Sequence, residues 1–151
     1  MSDEISDEIK DALLVSDYSV QVIDAFGYSY TDEQAFKRAW MHYLSCQVPC
    51  DVFEIENEEK EPGFPDLMCV THGGSYAQFF EIKVARKGGI FKFENTQPRF
   101  YKQHPFMRIM VVVWDAEQRR IYVFGAKRAC DAVLRAGRAT PKGIYLSVRE
   151  L

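Results

Sequence analysis

Residues 108–115, RIMVVVWD, form a nearly unbroken apolar run. A run of this kind, without alternating polar residues, is typical of a strand buried in the middle of a sheet. Around it, helix-like and strand-like stretches follow in the order helix, helix, three strands, helix, two strands, helix, strand. The sequence therefore predicts an α/β fold in which a mixed central β-sheet is flanked by helices.

The helices are predicted from their ends and their apolar faces. Residues 6–26 mix helical and extended signals, with a helix start at Ser6. Thr31 is placed to cap a clearer helix, whose apolar face consists of Phe36, Ala39, Trp40, Tyr43 and Leu44. Pro98 falls in the first turn of a short helix, where proline is tolerated, and the last helix ends at Gly137.

At 151 residues, the chain is most simply one domain with a substantial core. We expect residues 1–30 to form an acidic, helical N-terminal extension. Residues 31–125 are predicted to form the core of the fold, and residues 126–151 a C-terminal helix and strand.

The composition is that of an ordinary globular protein, with 47% hydrophobic and 27% charged residues. No apolar run approaches the roughly 18–20 residues of a membrane span. The N-terminus, MSDEISDEIKD, lacks the basic start and apolar stretch of a secretory signal. We therefore expect an intracellular protein without a membrane partner, in the cytoplasm or in the interior of a host cell.

The four cysteines lie in apolar sequence and are expected to be free thiols. His42, Cys46 and Cys50 recur every fourth residue, a spacing that suggests a metal-binding helix face. That helix should break near Pro49, however, and no fourth ligand is evident, so a zinc site is not expected.

The net charge of −3 conceals a division along the chain. Residues 1–66 carry 16 acidic and 4 basic side chains, a balance of −12, whereas residues 67–151 carry 6 and 15, a balance of +9. This asymmetry suggests a surface for polyanions in the later half. The alternative is that the two regions face each other or solvent, and charge alone favours that alternative.

Residues 61–89, EPGFPDLMCVTHGGSYAQFFEIKVARKGG, predict two short strands around a His-Gly-Gly-Ser turn. If the two glycines form a two-residue turn, Asp66 lies directly across from Glu81. Cross-strand partners point to the same face, which Lys83 shares because it follows Glu81 by two residues, while Ile82 points into the core. The register depends on the turn, since a slip of one residue would move these side chains to the other face.

Two facing carboxylates repel each other unless a proton or a cation lies between them. Oxygen ligands suit Mg²⁺, or Mn²⁺ in its place, with positions left for water and a substrate phosphate. Such a cation polarises a phosphodiester and acidifies an attacking water, and Lys83 can orient that water or stabilise the charge on the phosphate. The alternative is a solvated strand on which Glu81 and Lys83 form a salt bridge and Asp66 only marks a turn.

Pro65-Asp66 followed by Glu81-Ile82-Lys83 resembles the motif of the PD-(D/E)XK nuclease superfamily. The likeness extends through KGGIFKFENTQPRFYKQHPFMRIMVVVWD, over roughly residues 31–125, and is strongest to Holliday junction resolvases of the bacterial RecU type and related phage enzymes. It implies a restriction-endonuclease-like core of helix, three strands, helix and strand. It also implies that Asp66, Glu81 and the backbone carbonyl of Ile82 bind the metal and that Lys83 is the catalytic lysine.

The resemblance implies two further site residues. Glu33 best matches a glutamate that such enzymes often add from the first core helix as a metal ligand. Gln97 matches a glutamine after the loop, where it can hold a ligand or a phosphate. The alternatives are that Glu33 is a first-turn acid favoured by the helix dipole, and that Gln97 is a helix-capping polar residue.

Residues 83–108 hold seven basic side chains and one acidic side chain. Flexible glycines at positions 88 and 89 are expected to let nearby cations reach a DNA backbone without sequence preference. The predicted DNA-binding residues are Arg86, Lys87, Lys92, Arg99 and Lys102. The interleaved aromatic residues are expected in the core or at an interface rather than as stacking platforms: Phe91, Phe93, Phe100 and Tyr101.

Together these observations predict a Mg²⁺-dependent endodeoxyribonuclease that hydrolyses DNA phosphodiesters. By the resemblance, it is selective for structure, with branched DNA as its partner. A Holliday junction has two symmetric cleavage points, so a homodimer is expected. The alternatives are a phage-type or restriction-like nuclease with looser substrate choice, and a DNA-binding module that has kept the fold and lost hydrolysis.

Overall fold

A computed structural model of the chain describes residues 19–24, 30, 32–47, 49–56, 61–72 and 77–151. Six strands form the main sheet: β1 (Val20–Asp24), β2 (Cys50–Glu54), β3 (Leu67–Thr71), β4 (Ala77–Ala85), β6 (Ile109–Asp115) and β7 (Arg120–Gly125). Their order is β1-β7-β6-β4-β3-β2. Only the pair β4 and β6 is parallel, so the predicted mixed central sheet is confirmed.

A second, smaller sheet was not expected from the sequence. It consists of β5 (Ile90–Phe93), β8 (Arg138–Thr140) and β9 (Gly143–Ser147), in the order β5-β9-β8. Strands of three and four residues are too short to show a clear alternating pattern. In addition, β5 pairs with a strand that lies about 50 residues further along the chain.

Within the described ranges, three helices flank the main sheet: α1 (Glu33–Gln47), α2 (Thr96–Gln103) and α3 (Ala126–Ala136). The side chain of Asp32 accepts a hydrogen bond of 2.7 Å from the Ala35 N–H, and so caps the first turn of α1. The proposed cap, Thr31, lies outside the described residues. The first helix ends before Pro49, and the last helix ends at Gly137, as the sequence predicts.

Both faces of the main sheet are covered. On one face, α1 buries Phe36, Trp40 and Leu44 completely against strands β3, β4, β6 and β7. Each of these side chains contributes about 1.5–3 kcal/mol by leaving water. On the other face lie α2, α3 and the smaller sheet. All seven residues of β6 are buried, which confirms the predicted central strand.

The predicted nuclease-like order of helix, three strands, helix and strand is present as α1, β2, β3, β4, α2 and β6, with β5 inserted before α2. The N-terminal extension differs from its prediction, because residues 20–24 pair with β7 at the edge of the main sheet instead of forming a helix. The helix predicted from Ser6 lies outside the described residues. Among the residues described, no helix is both long and apolar enough to cross a membrane.

Candidate active site

The β3–β4 hairpin has the register that the two-glycine turn predicts, although the turn itself lies outside the described residues. Leu67 pairs with Phe80, which places Asp66 across from Glu81. The Asp66 N–H donates to the Phe80 carbonyl oxygen at 3.0 Å and continues the ladder. The Ile82 N–H then donates to Oδ2 of Asp66 at 2.9 Å, so the backbone of β4 orients this carboxylate.

Three carboxylates converge next to this hairpin. Glu33 comes from the first turn of α1, Asp66 from the start of β3, and Glu81 from the middle of β4. Each offers one oxygen, and these oxygens all lie within 4.8 Å of one another. Glu33 is therefore close enough to share a cation with the hairpin acids, as the resemblance implies.

Lys83 lies beside this acidic cluster and is held by α2. Its Nζ is 3.8 Å from Oε2 of Glu81 and donates a hydrogen bond of 2.7 Å to Oε1 of Gln97. The same glutamine oxygen accepts the N–H of Glu94 at 2.8 Å. Gln97 therefore satisfies the backbone that precedes α2, as a capping residue does, and at the same time binds the lysine.

Glu81 is 2% exposed, and Lys83 and Gln97 are each 8% exposed. The alternative of a solvated strand with a surface salt bridge is therefore wrong. Burial raises the pKa of Glu81 well above its ordinary value; Lys83 opposes this rise and Asp66 adds to it. Partial desolvation beside the other acids also raises the pKa of Glu33, although Glu33 as a whole is an exposed residue.

A divalent cation fits this group of acids. Oε1 of Glu81 is buried and has no hydrogen-bond partner among the described residues. A buried carboxylate oxygen of this kind is stabilised by a proton or by a cation. A donor set made only of carboxylates suits hard cations such as Mg²⁺ and Mn²⁺.

Tyr101, which was expected in the core or at an interface, is a neighbour of the site. It is 3% exposed, and its hydroxyl has no hydrogen-bond partner within the described structure. Burial raises the pKa of this hydroxyl well above its ordinary value, and the charges of Glu81 and Asp66 raise it further. The useful signal was its spacing, because Tyr101 follows Gln97 by four residues and shares its face of α2.

The loop that leads to Asp66 packs tightly on α2. Gly63 has a φ of +91°, and a Cβ there would lie 2.5 Å from the carbonyl oxygen of Thr96. The ring of Phe64 packs against that of Phe100, with 5.4 Å between centroids. This close approach brings the start of β3 and the start of α2 into one site.

The predicted DNA-binding residues lie mostly on the surface. The exposed ones are Arg86, Lys87, Arg99 and Lys102, whereas Lys92 is half-buried. The ammonium of Lys92 is 3.3 Å from a carboxylate oxygen of Glu94. All four interleaved aromatic residues are at most 3% exposed, which confirms that they belong to the core.

The expectation of a flexible glycine loop is wrong. Residues 87–89 form a single 3₁₀ turn with positive φ at both glycines. The Gly88 N–H donates to Oε2 of Glu117 at 3.0 Å, and its carbonyl accepts from Oγ of Ser147 at 2.8 Å. A Cβ on Gly89 would lie 2.6 Å from Cγ2 of Val148. The turn is thus anchored to both sheets. These contacts hold the backbone from which the Arg86 and Lys87 side chains extend.

Comparison with known proteins adds a distant structural likeness. No protein-family model and no curated protein matches the sequence. Among solved structures, the chain is similar to Hjc, a Holliday junction resolvase from the archaeal hyperthermophile Archaeoglobus fulgidus. The TM-score is 0.46 and the identity 13%, over 78% of this chain and 89% of Hjc. At these values the likeness carries no weight for function.

Proposed function

We propose that this protein is a metal-dependent endodeoxyribonuclease of the PD-(D/E)XK type. The observation that carries the proposal is the juxtaposition of three carboxylates with a buried lysine whose ammonium is held by a glutamine. Acidic clusters are common, but this lysine adds a fixed positive charge 3.8 Å from one of the acids. A cation site with a fixed ammonium beside it is suited to stabilising a phosphodiester as negative charge builds on it.

The proposed metal ligands are the cluster carboxylates and one backbone carbonyl: Glu33, Asp66, Glu81 and Ile82. When bound there, Mg²⁺ or Mn²⁺ supplies a Lewis acid that polarises the phosphate and lowers the pKa of the attacking water. Lys83 stabilises the charge on the phosphate as the water oxygen attacks. The attacking water gives up one proton, the P–O bond to the leaving oxygen breaks, and that oxygen takes up a proton, which yields a phosphomonoester and a hydroxyl.

Gln97 acts in this proposal as a positioning residue. Because an amide is uncharged, it holds the ammonium at 2.7 Å without neutralising it. The hydrogen bond from the Ile82 N–H likewise orients Asp66, because it fixes one of its carboxylate oxygens. Such outer contacts typically change metal affinity or activity 10–100-fold.

The proposed substrate is DNA, most specifically a branched DNA cut by a homodimer. The +9 balance of residues 67–151 supports a polyanionic partner, as do the exposed cations Arg86, Lys87, Arg99 and Lys102. Contacts from such side chains to phosphates carry no base information, so recognition by shape is the expected mode. A dimer would present two active sites to the two symmetric strands of a junction.

The test is a cleavage assay on matched four-way junction, linear duplex and single-stranded DNA with Mg²⁺, alongside measurement of mass in solution. The proposal expects Mg²⁺-dependent cleavage that a Lys83→Met variant lacks, and paired nicks at symmetric positions of the junction. Equal cutting of duplex and junction by a monomer would contradict the resolvase-like function and favour a nuclease of looser substrate choice. No cleavage of any DNA, with binding retained, would instead leave a binding module.

A further inference from the structure

The ammonium of Lys83 lies over the ring of Phe93, the last residue of β5, with 5.3 Å between Nζ and the ring centroid. A cation within about 6 Å of an aromatic ring is attracted by the negative potential of the ring face. We propose that Phe93 is a positioning residue for Lys83, whose ring holds the ammonium in the candidate active site and leaves it charged. This inference rests on the proposed function and gives the smaller sheet a part in it.

The ring completes a set of three groups around the ammonium. Oε1 of Gln97 accepts its hydrogen bond at 2.7 Å, and Oε2 of Glu81 lies 3.8 Å away. A carboxylate in place of the ring would form a second ion pair with the ammonium and compete with the cluster acids for a cation. A ring and an amide stabilise the ammonium without neutralising it, so its charge remains available to a phosphate.

Burial makes the contact between the ring and the ammonium strong. Phe93 is 0% exposed and Lys83 is 8% exposed. The attraction between a cation and a ring face is weak in water and grows where both groups are desolvated. The ring therefore contributes to holding the ammonium, whereas the same pair on the surface would contribute little.

The ring of Phe93 is fixed by packing and by backbone pairing. It meets the rings of Phe91 and Tyr101 edge to face, with 5.5 Å and 6.2 Å between centroids. Its backbone pairs with Ile144 of β9. A Cβ on Gly143 of the same strand would lie 2.7 Å from the Phe93 carbonyl oxygen, so the two strands approach closely. A side chain held in this way is suited to fixing the position of another.

One glutamine oxygen ties the end of β5 to the lysine. Glu94, which directly follows Phe93, donates its N–H to Oε1 of Gln97 at 2.8 Å. The same oxygen accepts the hydrogen bond from Lys83. The ring from β5 and the amide from α2 therefore meet the ammonium of β4 in one fixed arrangement, and β5 is in turn held by the smaller sheet.

The first test replaces Phe93 in the full chain by phenylalanines that carry one, three or five fluorine atoms. Fluorine weakens the negative potential of the ring face stepwise and changes the shape of the ring little. We expect the single-turnover rate of DNA cleavage to fall with each step, by about 3–30-fold in all, while DNA affinity stays the same.

The same series at Phe124 is the matched control. This residue is also 0% exposed, and its ring packs on that of Phe91 with 6.4 Å between centroids. Fluorination there should leave the rate unchanged. Equal effects at the two positions, or a rate that does not follow the number of fluorine atoms at position 93, would overturn the proposal.

The second test needs no activity and measures thermal melting of the metal-free protein. Fluorination at position 93 should lower the melting temperature by about 2–4 °C more in the unmodified chain than in Lys83→Met, where the ring has no ammonium to attract. The contacts of the ring with Phe91 and Tyr101 are common to both backgrounds and cancel. Equal losses in the two backgrounds would overturn the proposal.

The two proposals fail separately. A chain that cuts no DNA but shows the Lys83-dependent loss of melting temperature would lack the proposed activity and keep the positioning contact. A chain that cuts DNA at a rate independent of fluorination at position 93 would keep the activity and exclude the positioning role of Phe93.

Discussion

The ammonium of Lys83 donates a hydrogen bond of 2.7 Å to the side-chain oxygen of Gln97, which ties the middle of β4 to the first turn of α2. Both side chains are 8% exposed. Water therefore has little access to compete for this bond, and the fold determines where the positive charge stands. That charge lies 3.8 Å from Oε2 of Glu81, inside the proposed catalytic site.

Replacing Lys83 by methionine should abolish cleavage while DNA affinity and thermal stability stay close to those of the unmodified protein. The ammonium is needed most when charge builds on the phosphate, so kcat should fall at least about 10²-fold. Single-turnover cleavage and DNA binding are the measurements. Lys142→Met, at an exposed turn, serves as the matched control, and a near-normal rate for Lys83→Met would mean that this hairpin is not the active site.

Gln97→Ala should lower kcat by about 10-fold or more, because the ammonium loses its acceptor and is less well positioned. It should also lower the free energy of unfolding by about 1–3 kcal/mol, since the buried Lys83 ammonium and the partly buried Glu94 N–H both lose their acceptor. In a Lys83→Met background, the same substitution should leave the residual single-turnover rate unchanged. Additive losses in the double variant would contradict the positioning role.

Cleavage should require Mg²⁺ or Mn²⁺ and stop in excess chelator, because the proposed ligands are all oxygen atoms. Ca²⁺ should bind and support little turnover, since its larger and looser coordination misplaces the attacking water. Bound Mg²⁺ at about 100 times its Kd should stabilise the folded chain by about 2.7 kcal/mol. Thermal melting measures this stabilisation, and Asp66→Asn should remove most of it. Full activity in excess chelator would exclude the metal mechanism.

The metal-free protein should become less stable as pH rises. Burial raises the pKa of Glu81 above its ordinary 4.5. At pH values between 4.5 and the raised pKa, the folded chain therefore keeps a proton that the unfolded chain has lost. The free energy of unfolding therefore falls as pH increases from 4.5 through the raised pKa, and then levels off. Glu81→Gln should flatten this dependence and be the more stable protein at high pH.

Urea unfolding in chelator at several values between about pH 5 and pH 8 measures this effect. Stabilisation by Mg²⁺ should grow over the same range in the unmodified protein, because the cation replaces a proton on the buried acid. If the free energy of unfolding of the metal-free protein rises with pH, and rises equally in Glu81→Gln, Glu81 is not the buried acid that causes the pH dependence.

Gly63→Ala should destabilise the fold and lower activity together. The added Cβ would meet the Thr96 carbonyl oxygen at 2.5 Å, and φ at this position is +91°. Gly88 is the control, because its φ of +80° is also positive, whereas its Cβ would meet nothing closer than 3.7 Å. We expect a loss of about 1 kcal/mol for Gly88→Ala and clearly more for Gly63→Ala. Equal losses would show that the contact with α2 does not matter.

Much of the fold follows from local patterns in the sequence. The apolar run at residues 108–115 marks the buried strand. A turn assumed at the two glycines predicts a register that places Asp66 opposite Glu81, and the observed pairing of Leu67 with Phe80 has that register. These predictions succeed because side-chain direction alternates strictly along a strand. If the turn has two residues, only one register of the two strands is possible, and in that register Leu67 and Phe80 both face the core.

Contacts between distant segments were decided only by the tertiary structure. The three-residue and four-residue strands of the smaller sheet, and the pairing of residues 20–24 with β7, depend on partners that lie far away along the chain. A glycine pair that looks flexible in the sequence is anchored by Glu117 and Ser147. Short segments carry too little pattern to specify such partners, because their conformation is set by the surface on which they pack.

The candidate site divides in the same way. The chain by itself determined that two carboxylates and a lysine share one face of a hairpin, since all three lie within 18 residues. Only packing decided that Glu33 from α1 joins them, that Gln97 holds the lysine and that Tyr101 is buried beside them. The physical reason is that burial, which fixes the lysine and raises the pKa of Glu81, arises only when separate elements close over the hairpin.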